Sequence, residues 1–290
     1  MTRPEDLFFS SDTPVGGTGE VQVRWLGTAG FAIEYRSHVL LIDPYLTRAS
    51  LSRCLFAPLR TDTALVQRHA PRADAIVLSH THFDHALDAP AIARQTGARV
   101  FGSESAVHLC RSHGLPDAQL ECVQTDTHGA LHAAEVGPFR LRFWPSAHSA
   151  IFLGRVPFPG EIADCTDVPM RTEAYRCGAV FAVEIEVAGR RLFHVGSAEL
   201  VERRWRVGPV DLALACVAGW TSTERYPERL VAALSPGAVL FHHWDNFLHG
   251  LDSGARALPA MRFAALIDRL DAAAPGLKIG AVPLLGVLRL

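Results

Sequence analysis

The stretch Ser79-His80-Thr81-His82-Phe83-Asp84-His85 constrains this chain most, because it sets three histidines and an aspartate within six residues, directly behind the apolar run Ala75-Ile76-Val77-Leu78. That run is branched, continuous and ended by polar residues, so it reads as a short buried strand. Extended backbone sends side chains at i and i+2 to the same side, so His80 and His82 converge on one cation. A turn at Phe83 then swings Asp84 and His85 toward a second position a few ångströms away. Neutral imidazoles with a carboxylate suit Zn²⁺, and Mn²⁺ or Fe²⁺ share that ligand chemistry.

With 290 residues, 49% of them hydrophobic and 20% charged, the chain has room for two domains or for one large α/β unit. A formal charge of −2 provides no electrostatic footprint for nucleic acid or an anionic membrane. Lys278 is the only lysine, and the other basic side chains are arginines. The start, Met1-Thr2-Arg3-Pro4-Glu5-Asp6, has neither the basic beginning nor the apolar core of a signal peptide. No apolar stretch reaches membrane-spanning length. The six cysteines, Cys54, Cys110, Cys122, Cys165, Cys177 and Cys216, form no Cys-x-x-Cys pair. They read as free thiols in a reducing compartment, so a cytoplasmic location is expected.

Residues 1–19 are polar and rich in Ser, Thr, Gly and Pro, and predict an irregular arm before one domain over 20–290. Alternation and turn residues predict strands over 21–26, 30–35 and 38–42, closed by Asp43-Pro44. The connection 45–72, with Leu51, Leu55, Phe56 and Leu59, is expected to pack beside the metal loop. Helices follow over 88–96, with Asp88 as N-cap and Gly97 as stop, and over 103–112, on either side of a strand at 98–101. Strands are expected at 119–123, 130–136, 138–144, 178–187, 190–196, 210–217, 238–241 and 276–282, and helices at 224–234 and 260–272. Residues 151–177, carrying Phe152, Arg155, Phe158 and Arg171, form an irregular insertion placed to wall a pocket. Trp220, Tyr226, Trp244 and Phe247 fall at the same predicted sheet edge as an apolar substrate wall, unless they belong to the core. This order suits two sheets packed face to face with helices outside.

His80-Thr81-His82-Phe83-Asp84-His85 resembles the His-x-His-x-Asp-His signature of the metallo-β-lactamase-fold hydrolases. Val21-Gln22-Val23-Arg24-Trp25-Leu26-Gly27-Thr28-Ala29-Gly30-Phe31 and Val39-Leu40-Leu41-Ile42-Asp43-Pro44 are similar to the first strands of that superfamily. Within it, the chain looks most like the branch of ascorbate-phosphate lactonases and N-acyl phosphatidylethanolamine phospholipases. The resemblance implies an α/β fold of the αββα four-layer sandwich type, with the metal pocket at one edge between the sheets. It implies a first site of His80, His82 and His148, although His148 by itself reads as a solvated loop residue. The second site would hold Asp84, His85 and a histidine from Leu240-Phe241-His242-His243-Trp244. The family pattern selects His243, with His242 as runner-up, and neighbours on a strand face opposite ways, so one of the two reaches the metals. Asp43 either supports the metal loop from behind or caps a turn.

The chemistry implied is that of a metal-dependent hydrolase with one or two Zn²⁺ ions, or Mn²⁺ or Fe²⁺. A bound Zn²⁺ lowers the pKa of its water from about 15.7 toward about 7, making hydroxide available for an ester, lactone, amide or phosphodiester of a small molecule. Asp84 orients that water and receives its proton. One position departs from the family. In Phe193-His194-Val195-Gly196-Ser197, Ser197 stands where the family carries an aspartate bridging the two metals. Dications about 3.5–4 Å apart repel unless anions lie between them, so a weakly held second metal is expected. Glu199 or Asp245 are the alternative oxygen donors. A metal-binding or regulatory protein without turnover is the competing class, motivated by Ser197. A redox di-iron protein is disfavoured by His82, which replaces the acid that such members carry.

Overall fold

The structure, a computed structural model, describes residues 3–10, 15–16, 18–124, 132–151, 153–258 and 261–290. The chain opens with a hairpin pair, β1 (Val21–Gly27), β2 (Gly30–Tyr35) and β3 (His38–Ile42), followed by the short helices α1 (Leu51–Phe56) and α2 (Thr63–His69). Next come β4 (Ala75–Val77), α3 (Phe83–Ala86), α4 (Ala89–Thr96), β5 (Arg99–Gly102), α5 (Glu104–Ser112) and β6 (Leu120–Cys122). The second half runs β7 (His132–Val136), β8 (Phe139–Pro145), β9 (Phe181–Val187), β10 (Arg190–Val195), β11 (Leu212–Cys216), α6 (Tyr226–Leu234), β12 (Ala238–His242), α7 (Phe263–Ala273), β13 (Lys278–Gly280) and β14 (Val287–Arg289).

Two seven-stranded sheets result, ordered β14-β1-β2-β3-β4-β5-β6 and β13-β12-β11-β10-β9-β8-β7. Each begins with antiparallel hairpins and continues in parallel strands, β3 to β6 in one and β10 to β13 in the other. The parallel connections carry the helices, which must lie on the outer faces, so the order is an αββα sandwich.

Strand alternation assigns each apolar residue to a layer. Phe31, Ile33, Leu40, Ile42 and Val77 enter the core between the sheets, where Phe143, Val183, Leu214 and Leu240 meet them. Their neighbours Ala32, Leu41, Ile76 and Leu78 point the other way, into the layer under α4 and α5 with Ile92 and Leu109. Both faces of these strands are therefore buried, which explains why Ala75-Ile76-Val77-Leu78 is apolar without a break.

Four local expectations change. The arm is not wholly irregular, since Pro4–Leu7 form a 3₁₀ turn and Phe8 bridges Ala281. The 45–72 connection contains α1 and α2, and Leu51, Leu55 and Phe56 are exposed while Leu59 is buried. Asp88 holds the expected N-cap position of α4, but its carboxylate does not cap the helix and instead accepts from the amides of Leu46 and Thr47 at 2.7 and 2.8 Å. The chain's return as β14, beside β1, was not anticipated. Phe152 and the start of the strand expected at 130–136 lie outside the described residues.

Candidate metal centre

Loops at the carboxyl ends of the parallel strands gather at one edge of the sandwich, where open α/β sheets commonly bind ligands. The loop after β4 carries the histidine motif, Asp43 follows β3, Ser197 follows β10 and His243 follows β12. The extended pair His80 and His82 brings two rings to 4.8 Å between centroids, and His148, just past β8, lies 5.0 and 4.7 Å from them. The expected turn at Phe83 is the single-turn helix α3, which carries Asp84 and His85 to an adjoining position. There the Nε2 atoms of His243 and His85 stand 3.3 and 3.9 Å from the same Asp84 oxygen. Among the described residues, His80, His82 and His148 form one set able to hold a cation, and Asp84, His85 and His243 another, with the ligand atoms of each set within 4.8 Å of one another.

Three of the ring nitrogens turned away from these sets are tied down. His82 donates through Nε2 to the Pro157 carbonyl at 2.9 Å, and His148 through Nδ1 to the Ser149 carbonyl at 2.8 Å. His85 donates through Nδ1 to Asp43 at 2.9 Å. The opposite nitrogens, Nδ1 of His82 and Nε2 of His148 and His85, remain as lone pairs toward the cluster. His80 Nε2 is buried and meets no hydrogen-bond partner, which a cation would supply. The donor set thus fits a divalent metal. Asp43 also accepts from the Ser79 amide at 2.7 Å and its hydroxyl at 2.5 Å, so one carboxylate braces the loop and the His85 ring together. A Cβ at Gly196 would collide with the Ser79 side chain, so glycine is required where β10 passes behind the loop.

Burial and the neighbouring imidazoles hold His80 well below the usual histidine range, and burial also lowers His82. His148 is pushed down to about 3, by burial first and then by His82. All three therefore stand neutral, the ligating form. Burial alone would raise Asp84, but His85 and His243 outweigh it and hold the carboxyl well below its ordinary value. Burial would lower His85, but Asp43 and Asp84 raise it above the usual value.

The choice between His242 and His243 follows from the strand end. His242, the last residue of β12, points into the core, where it stacks on His194 at 5.0 Å. His243 adopts a left-handed conformation with φ 57°, anchored by its amide on the Thr28 carbonyl at 2.8 Å, and turns toward Asp84. Neither alternative oxygen reaches the second set. Asp245 is buried against Arg48 and accepts from the Thr28 amide at 3.0 Å. Glu199 accepts from the Thr223 hydroxyl at 3.0 Å and the Leu200 amide at 3.1 Å. Ser197 accepts from the Ser149 amide at 3.0 Å, with the Ser149 hydroxyl also at 3.0 Å. Of the four aromatics, Trp220 and Phe247 line the adjoining cavity, whereas Trp244 packs at a tilt against Trp25 at 4.9 Å and Tyr226 is buried in the core. From the insertion, Pro157 and Phe158 line it, and Arg155 and Arg171 do not. The Pro157 carbonyl and the Arg48–Asp245 pair were not foreseen, since a backbone acceptor and a long-range ion pair leave no local pattern.

A sequence profile of the beta-lactamase superfamily domain matches residues 38–259. A metal-dependent hydrolase of Thermodesulfovibrio yellowstonii is 25% identical over 81% of this chain and 82% of its own, and one of Anaeromyxobacter sp. is 27% identical over 82% and 79%. Among solved structures, a metallo hydrolase from Ignicoccus hospitalis superposes with a TM-score of 0.54 at 18% identity, covering 93% of this chain and 99% of that one. The di-iron β-hydroxylase CmlA of Streptomyces venezuelae superposes with a TM-score of 0.60 at 16% identity, covering 94% and 55%. At these identities the structural likeness speaks for the fold alone, a fold shared by hydrolytic and oxidative proteins. The profile match, the sandwich and the two donor sets lead to one family: this chain belongs to the metallo-β-lactamase superfamily.

Proposed function

We propose that this protein is a metal-dependent hydrolase of a small ester, lactone or phosphodiester. In this reading His80, His82 and His148 hold one divalent cation firmly, and Asp84, His85 and His243 hold a second more weakly. The observation that carries the reading is the pair of adjoining three-donor sets opening on a cavity of about 630 Å³. When bound, the metal provides a nucleophile at neutral pH and polarises the oxygen of the scissile group. Asp84, kept ionised by His85 and His243, orients the attacking water and accepts its proton. Asp43 fixes the ring of His85, and the Pro157 and Ser149 carbonyls fix those of His82 and His148.

Imidazole-rich donors with one carboxylate favour Zn²⁺ over harder cations. A core continuous across both sheets supports reading 20–290 as one hydrolase domain. Six free cysteines fit a reducing cytoplasm, and no helix among the described residues is long and apolar enough to cross a membrane. Metal analysis and turnover of the wild type and His82→Ala test the assignment. The variant is expected to lose metal and activity together, and full metal content with unchanged turnover would sink it. A second reading, a metal-binding protein without turnover, is favoured by Ser197, whose oxygen is engaged by Ser149 instead of offering a charge between metals. Tight metal binding with no turnover across esters, lactones and phosphodiesters would support that one.

A further inference from the structure

The cavity beside the two donor sets has walls of a single character. Beyond the histidines and Asp84, its main surfaces are Ile151, Phe158, Trp220, Phe247, Leu258 and Met261. They come from three separate segments of the chain, so the apolar lining is not the by-product of one loop. The polar side chains that join them are hydroxyls and the Cys216 thiol, and no lysine or arginine lines the cavity among the described residues. The Phe247 ring lies 5.4 Å from that of His243 and 6.1 Å from that of Phe83, and the Phe158 ring lies 6.4 Å from that of His82. Hydrocarbon therefore stands directly against both donor sets.

Beyond the cations that the donor sets would hold, a phosphate group entering this space would meet an apolar chamber with no guanidinium or ammonium among the described residues to receive its charge. An uncharged apolar group gains on the same path, by about three- to fourfold in affinity for each methylene buried. The volume is within the range that encloses most of a drug-sized molecule. We infer that the cavity selects an uncharged carboxylic ester or lactone carrying a bulky apolar group, and rejects phosphodiesters. The chemistry rests on the hydrolase reading above, while the selection belongs to the walls alone. In the reaction, the acyl C–O bond breaks, the water oxygen joins the acyl carbon, and the proton taken by Asp84 passes to the departing alcohol.

The test has two arms. With metal-reconstituted protein, kcat/KM is compared for p-nitrophenyl acetate, butyrate and hexanoate and for bis-p-nitrophenyl phosphate. A rise of at least about tenfold from acetate to hexanoate is expected, with the diester slower than any of the three. Phe247→Ala should flatten the dependence on chain length. With metal-free protein, thermal shift is measured with hexanophenone and with phenylphosphonate. The ketone should stabilise the wild type and the phosphonate should not, and Leu258→Arg should reverse that order. Indifference to chain length with fast diester turnover, or stabilisation by the phosphonate alone, overturns the inference. Ketone binding with no ester turned over would overturn the hydrolase reading and uphold the selection by the walls.

Discussion

In the proposed reading, Ser197 is the residue on which the strength of the second cation turns. Its oxygen is taken up by the Ser149 amide and hydroxyl, so it adds no charge between the two sets. Ser197→Asp is expected to raise the chelator-resistant metal content toward two equivalents, while Ser197→Ala leaves it near the wild-type level. Two tightly retained equivalents in the wild type after mild chelation would refute the single strong site. Asp245, once a rival donor, is committed elsewhere. The Arg48 and Asp245 side chains are 1% and 0% exposed, so each is the other's counter-charge on leaving water, and the Thr28 amide gives Asp245 one further hydrogen bond. Arg48→Met should leave the carboxylate stranded and lower stability by about 3–5 kcal/mol in urea unfolding. A loss below about 1 kcal/mol, the scale of an exposed pair, would show that the carboxylate finds another partner.

At the scale of elements, the loop between β4 and α3 is held from below by the residue that ends β3. Asp43 sits in the left-handed region at φ 44°, a conformation that costs energy for a side chain with a Cβ. In return, its two oxygens reach the Ser79 amide, the Ser79 hydroxyl and His85 Nδ1. Asp43→Asn keeps the shape but turns an NH₂ toward His85, which forces the ring proton onto Nε2, the nitrogen facing Asp84. Metal affinity is then expected to fall about 10–100-fold, with the greater loss at the set containing His85. Titration with a competing chelator measures it, and equal affinity at both sets in wild type and variant would remove Asp43 from the support of the site.

Across the whole molecule, the proposed donors come from both sheets. His80, His82, Asp84 and His85 follow β4 of one sheet, while His148 and His243 follow β8 and β12 of the other. A cation bound by both is a cross-link present only in the folded chain, so its binding energy adds to folding stability. Chelation should lower Tm by several degrees, and Zn²⁺ should restore it in a concentration-dependent way. An unchanged Tm on complete metal removal would mean that the sheets do not depend on the site for their pairing.

The sequence alone determined what depends on near neighbours. Spacing at i and i+2 decided that His80 and His82 share a side, and unbroken apolar runs marked strands buried on both faces, because backbone geometry acts within a few residues. The outward order of strands and helices followed from the same local periods. Tertiary structure decided what no window of sequence contains. It brought His148 and His243 to the motif, and it turned His242 into the core beside His194. It also drew Trp244 onto Trp25 and Asp245 onto Arg48, leaving Trp220 and Phe247 to face the cavity. In each case the deciding contact joins segments distant along the chain, and its energy exists only once both sheets are packed.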